Sequence, residues 1–256
     1  MSAMAAFDQE TTRKLRCMGC PELADALEGI WRDPAFAAVA PEDRLAAAVD
    51  RAYEVQGDAS TRARVKRAHL RDPQADIARI VYEGRPTLSR DQILSLGTCA
   101  FMETRTDVIV EGFAGTGKTF LGCALAKQAC RHGRRALYVR LPDLLMAYEE
   151  WKAAGRPEEK FFRKYARYDL LAIDEWLIDE LGHAQARVIL EIVDRRHDRA
   201  SNVICTQYPK DEWCRRLGGG ATADAVVDRI VQNSVTINTG EANMRELTSP
   251  TRKPAV

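Results

Sequence analysis

The chain has 256 residues, 46% of them apolar and 29% charged, enough for one large soluble domain and a small appended one. Its 38 Lys and Arg nearly balance 37 Asp and Glu, so net charge neither demands nor excludes a nucleic-acid partner and local clusters must decide. The seven scattered cysteines exclude a disulfide framework, the first residues lack a signal-peptide pattern, and no apolar run approaches membrane-spanning length; a cytoplasmic protein with no membrane partner is expected.

Residues 1–85 read as a helical N-terminal domain. Leu23, Leu27, Ile30 and Trp31 recur at helical spacing, and so do Leu45, Val49, Ala52 and Tyr53 after a first-turn Pro41. Ser89 and Gln92 form a capping-box pattern that predicts a helix to about Thr104. From residue 107 the texture changes. Apolar runs at 107–110, 136–140, 169–173, 202–206 and 235–238 alternate with helices near 118–131, 142–152, 158–167, 183–199 and 222–232. Such alternation predicts an α/β domain over 86–256, with a five-stranded parallel sheet covered by helices on both faces.

Gly112-Phe113-Ala114-Gly115-Thr116-Gly117-Lys118-Thr119 matches G-x-x-x-x-G-K-[ST] between a predicted strand and a predicted helix. Glycines let backbone N–H groups wrap phosphates, Lys118 adds a positive charge, the Thr119 hydroxyl is a Mg²⁺ ligand, and the helix N-terminus favours anions. The strand ending Ile173-Asp174-Glu175 supplies two carboxylates: Asp174 to hold Mg²⁺, Glu175 to orient or deprotonate an attacking water. ATP and Mg²⁺ are the cofactors these residues imply, and hydrolysis is the expected reaction.

One strand intervenes between the loop strand and the acidic strand. That resembles the additional-strand, catalytic-glutamate division of P-loop ATPases, which includes the AAA+ proteins. The resemblance implies a water-positioning polar residue at the tip of the fourth strand, best matched by Gln207 beside Thr206. It also implies an arginine, here Arg229, that reaches a neighbouring subunit's ATP, and a second sensor arginine, here Arg245. Fewer than 20 residues follow the last strand, so the helical lid of full AAA+ modules is expected to be missing.

Three further stretches narrow the resemblance: KLRCMGCPELADALEGIWRDPAF at the N-terminus, CTQYPKDEW, and ADAVVDRIVQNS followed by NMRE. Together they resemble the IstB family over nearly the whole chain. The chain departs from it in having Asp-Glu where Asp-Asp is frequent, and Cys17-Met-Gly-Cys20 where a proline-glycine step is frequent. The resemblance implies a helper ATPase of DNA transposition that forms a homo-oligomer on double-stranded DNA and directs or activates a cognate transposase. Its relatives, the DnaC-type helicase loaders, supply the alternative reading; a nucleotide kinase and a non-hydrolysing switch are further alternatives that Glu175 disfavours.

DNA contact is expected from two basic clusters, mostly to backbone phosphate. Arg62, Arg64, Lys66, Arg67 and Arg71 carry no acid among them, and on one continued helix Arg64, Arg67 and Arg71 would share a face. Lys160 and Arg163, with Lys164 and Arg167, form the second. Cys17 and Cys20 lack a second pair for a metal site, and Trp176, Trp213, Cys123 and Cys130 read as packing residues.

Overall fold

The computed structural model describes residues 8–244 and divides into two compact units, 1–63 and 64–256. The division falls inside one helix, earlier than the expected boundary at 85/86, so residues 64–85 pack with the second unit. The first unit holds α1 (Gln9–Cys17), α2 (Pro21–Arg32) and most of α3 (Pro41–Arg67). Asp8 caps α1 by accepting the N–H groups of Glu10 and Thr11, and Pro21 opens α2. Leu27 and Ile30 are buried as their spacing predicts. In α3 the alanines 48 and 52 are buried, while Leu45, Val49 and Tyr53 are 50%, 47% and 77% exposed, contrary to the expected apolar stripe.

The second unit continues with α4 (Arg90–Gly97), β1 (Asp107–Glu111), α5 (Lys118–Arg131), β2 (Ala136–Arg140), α6 (Leu141–Ala153), α7 (Glu158–Ala166), β3 (Leu170–Trp176), α8 (His183–Arg196), β4 (Ser201–Thr206), α9 (Lys210–Arg216), α10 (Gly220–Val231) and β5 (Ser234–Asn238). All five strands are parallel, in the order β2-β3-β4-β1-β5. Strand β4 therefore lies between the loop strand and the acidic strand, while β2, the strand that intervenes between them in sequence, takes the sheet edge beside β3.

The continuous apolar runs follow from this layering. Alternate residues of one strand face opposite ways. Val108, Val110, Ala172, Val203 and Cys205 enter a core with α4 and α5, while Ile109, Leu171, Ile173 and Ile204 enter a second core with α6 through α10. Both faces are covered, so no polar alternation survives. Cys123 and Cys130 lie in the first core, Trp176 and Trp213 in the second, with ring centroids 5.5 Å apart.

Three predicted elements differ. The helix from Arg90 stops at Gly97, because Cys99 takes a left-handed φ of 60° and a 3₁₀ turn follows at 100–102. Ser89 accepts the Gln92 N–H, but the Gln92 side chain donates to the Thr236 carbonyl instead of closing the box. The short α9 was not expected; seven residues are too few for periodicity to show.

Candidate active site

The phosphate loop leaves the C-terminal end of β1 and enters α5. Gly117 turns the chain there with φ 86°, a conformation that L side chains avoid. At Gly112 an added Cβ would lie 2.1 Å from Thr239 Oγ1, so only glycine lets the loop approach the segment after β5. Thr116 is fully buried; its hydroxyl contacts Thr239 Oγ1 at 2.7 Å and donates to the Phe113 carbonyl at 2.8 Å. Arg85, almost fully buried, donates to the carbonyls of Thr116 (2.7 Å) and Thr239 (3.2 Å) and braces the loop from beneath.

Lys118 Nζ donates to the carbonyls of Gly112 and Phe113 at 2.7 and 2.6 Å. Burial lowers its pKa from the usual lysine value. An ammonium has three donors, so one remains for an anion. Ala114, Gly115, Lys118 and Thr119 line a cavity of about 350 Å³ together with Asp174, Glu175 and Gln207.

The acidic pair owes its arrangement to a β-bulge. Ile173 pairs with Ile204, yet Trp176 pairs with Thr206, so β3 carries one residue more than β4 across the pair. Glu175 sits at φ 55° and Leu177 at 54°. Regular alternation would send two consecutive side chains to opposite faces; the bulge brings both to the same cavity. A non-glycine residue in this region costs about 1–2 kcal/mol, held here by the surrounding contacts. Among these, Arg216 donates to the carbonyls of Leu177 and Ile178, each at 2.7 Å.

Asp174 is buried and accepts three hydrogen bonds. Its Oδ2 accepts from Thr119 Oγ1 and from the Tyr138 hydroxyl, both at 2.6 Å, and its Oδ1 accepts the Glu175 N–H at 2.8 Å. Glu175 accepts from Arg71 Nη1 at 2.9 Å on Oε1 and from Arg140 Nη2 at 2.5 Å on Oε2. Arg140 foremost, then Arg71, holds its carboxyl below the usual range against the opposing effect of burial.

The donor set suits Mg²⁺. Thr119 Oγ1 and Asp174 Oδ2 are adjacent hard oxygens beside the loop, and among the described residues no cluster of three His, Cys, Asp or Glu forms a protein-only cage. Magnesium takes one or two protein oxygens plus phosphates and waters, which this pair allows. Beyond Gly117 a second cavity, of about 440 Å³, is lined mostly by Ile80, Val81, Leu88, Phe120, Leu121 and Met244, with Asp72, Arg79 and Arg85 also on its wall.

Gln207 is exposed on the phosphate cavity, whereas the Thr206 hydroxyl is buried on the carbonyl of Trp176 and the N–H of Tyr208. Arg229 pairs with Asp194 at 2.7 Å and lines a small pocket with Asp107 and Asn202 at the opposite end of the sheet from Lys118. Arg245 lies outside the described residues; Met244 donates its N–H to the Gly115 carbonyl at 2.9 Å.

The first basic cluster is not one helical face. Helix α3 ends at Arg67, His69 turns with φ 51°, and Arg71 points into the phosphate cavity. Arg64 Nε donates to the Cys130 carbonyl, while Arg62, Lys66 and Arg67 are exposed. Lys160 and Arg163 are exposed on α7, where Glu159 lies 3.4 Å from Arg163 and dilutes the charge.

The family described as IstB-like ATP binding protein matches residues 13–251. The chain belongs to that family. The insertion-sequence ATP-binding protein y4pL of Sinorhizobium fredii is 28% identical over 235 residues, covering 92% of this chain and 95% of its own. The ATP-binding protein of insertion sequence IS1162 from Pseudomonas fluorescens is 29% identical over 203 residues, covering 78% and 87%. In fold, the chain is similar to the DnaC helicase loader, with TM-score 0.56, 20% identity, and coverage of 64% of this chain and 96% of that one. It is also similar to AMPPCP-bound DnaA from Aquifex aeolicus, with TM-score 0.54, 22% identity, and coverage of 66% of this chain and about half (51%) of DnaA.

In this IstB-like chain, Tyr138, Arg140 and Arg71 stand in the site although sequence reasoning gave the first two no role and the third another. Tyr138 and Arg140 had one legible signal: they lie two residues apart on the strand that a parallel sheet sets beside the acidic strand, and Arg140, at its end, is the register partner of Asp174.

Proposed function

We propose that this protein hydrolyses ATP and, as a homo-oligomer on double-stranded DNA, serves as a transposition helper that directs or activates a transposase. The observation that carries the hydrolysis reading is the bulge that sets Asp174 and Glu175 on one cavity with Lys118 and Thr119. Lys118 and the loop N–H groups bind the phosphates, and the mostly apolar cavity beyond Gly117 takes the base. Mg²⁺, held through Thr119 and Asp174, neutralises phosphate charge when bound. Gln207 positions a water. Glu175 accepts its proton as the water oxygen bonds to the terminal phosphorus; the bridging P–O bond breaks, and ADP and phosphate leave.

Assembly is supported by Arg229. It faces away from its own phosphate loop, so it could serve catalysis only at the site of a second copy. The DNA and transposase parts rest on membership of a family whose curated relatives are named insertion-sequence ATP-binding proteins. Arg62, Lys66, Arg67, Lys160 and Arg163 are exposed cations able to meet phosphate backbone.

The test is ATP turnover with and without duplex DNA over a salt series. Expected are stimulation that fades as salt rises, and loss of turnover in Lys118→Ala. Turnover in Lys118→Ala equal to wild type would refute the active site. DNA without effect at any salt concentration would refute the DNA-coupled role and leave the ATP site standing.

A further inference from the structure

We propose that Arg71 is a nucleotide-sensing residue, which exchanges its pairing with Glu175 for the terminal phosphate of a bound nucleoside triphosphate. The inference rests on the ATP reading above.

Place comes first. Arg71 lies far from the phosphate loop in sequence, yet lines the same cavity as Lys118 and Thr119. Its backbone is anchored there. The Ala68 carbonyl accepts the Tyr138 N–H of β2 at 2.8 Å, and Ala68 and Leu70 are buried in the core around α5. The side chain is 52% exposed, so it can change partners by rotamer while the backbone stays fixed. A guanidinium meets phosphate oxygens with a planar fork of donors, a geometry a single lysine cannot offer.

The charges favour the exchange. Two guanidiniums now saturate one carboxylate, Arg71 on Oε1 and Arg140 on Oε2. With a guanidinium donor on each oxygen, Glu175 is hindered from taking a proton from water. A triphosphate seated on Lys118 brings a higher negative charge into the cavity than Glu175 carries, so it competes for the exposed cation. Departure of Arg71 frees Oε1 for water, while Arg140 keeps the carboxylate in place. The base is thus masked until there is a terminal phosphate to attack. A diphosphate, one phosphoryl group shorter, would not draw Arg71 away.

The experiment compares binding of ADP and of AMPPCP, a non-hydrolysable triphosphate, with Mg²⁺, by calorimetry on the full chain. The proteins are wild type, Arg71→Ala and Arg71→Lys. Expected is a loss of about tenfold or more in AMPPCP affinity for Arg71→Ala with ADP affinity within about twofold of wild type, and partial recovery in Arg71→Lys. Loss of both nucleotides equally, or of neither, would overturn the inference while wild-type binding upholds the ATP reading. A wild-type protein that binds neither nucleotide overturns both. Should Arg71→Ala weaken duplex DNA and leave the AMPPCP-to-ADP ratio unchanged, Arg71 is a DNA contact and the inference is wrong. Arg71→Lys, which keeps the charge but loses the planar fork and some reach, provides the same comparison, with a smaller AMPPCP-selective loss, if Arg71→Ala fails to fold.

Discussion

At the N-terminal end of the sheet Arg196 is wholly buried, whereas at the C-terminal end Arg71 and Arg140 meet Glu175 on the wall of a cavity. Arg196 donates to Asn202 Oδ1 at 2.6 Å and to the carbonyls of Tyr165, Tyr168 and Ser201 at 3.0, 2.7 and 2.6 Å. Asn202 in turn donates from its backbone and side chain to Asp107. The adjoining void is only about 10 Å³, against about 350 Å³ beside Lys118. Charges of the first kind are locked by fixed acceptors and serve the fold. Those of the second kind are paired with each other at the edge of solvent and can change partners. Burial and exchangeability of the partners, more than the number of charges, separate a structural cluster from a working one.

The contrast can be broken from either end. Glu175→Gln should lower ATP turnover by about 10³-fold, about 4 kcal/mol, while ATP binding and thermal stability stay close to wild type. Unchanged turnover would show that another group activates the water. Arg196→Met should do the opposite, costing about 3–4 kcal/mol of stability in urea unfolding because Asn202 and three carbonyls lose their donor. An unfolding midpoint equal to wild type would remove the structural half of the comparison.

Asp107 sharpens it by pH. Burial, opposed by Asn202, raises its pKa to about 7. The folded state therefore keeps a proton that the unfolded state releases, and this group's contribution to stability falls as pH rises from about 4 to about 7 and then levels off. The predicted size is of order 2–4 kcal/mol. Asp107→Asn should flatten that segment when urea midpoints are compared at pH 5 and pH 8; an equal slope in both proteins would move the proton elsewhere. The smallest effect should come from Tyr138→Phe, which removes one bond to Asp174 and should weaken the Mg²⁺ dependence of ATP binding by about 1 kcal/mol, read by titrating the metal. No change would make the tyrosine a packing residue.

Much of this was legible beforehand because it is written at short range. The five strands and the helices flanking them follow from apolar runs and helical spacing, and Gly133, with φ 77°, follows the end of α5. Other features needed long-range contacts. The end of the predicted helix at Thr104 failed because Cys99 adopts a left-handed turn that nothing in its residue type announces. Arg71 was counted with its sequence neighbours on a basic helix, but its partner Glu175 is brought to it by the fold of a distant strand.

The sequence by itself determined the loop pattern at 112–119 and the carboxylate pair at 174 and 175, because the spacing of glycines, lysine and threonine dictates local backbone shape and donor direction. The tertiary structure alone decided how that site is held. A one-residue bulge between β3 and β4 put two consecutive carboxylates on one cavity, and the sheet order set Arg140 beside Asp174. Strand register and the meeting of distant segments depend on the packing of the whole sheet, which no window of sequence contains.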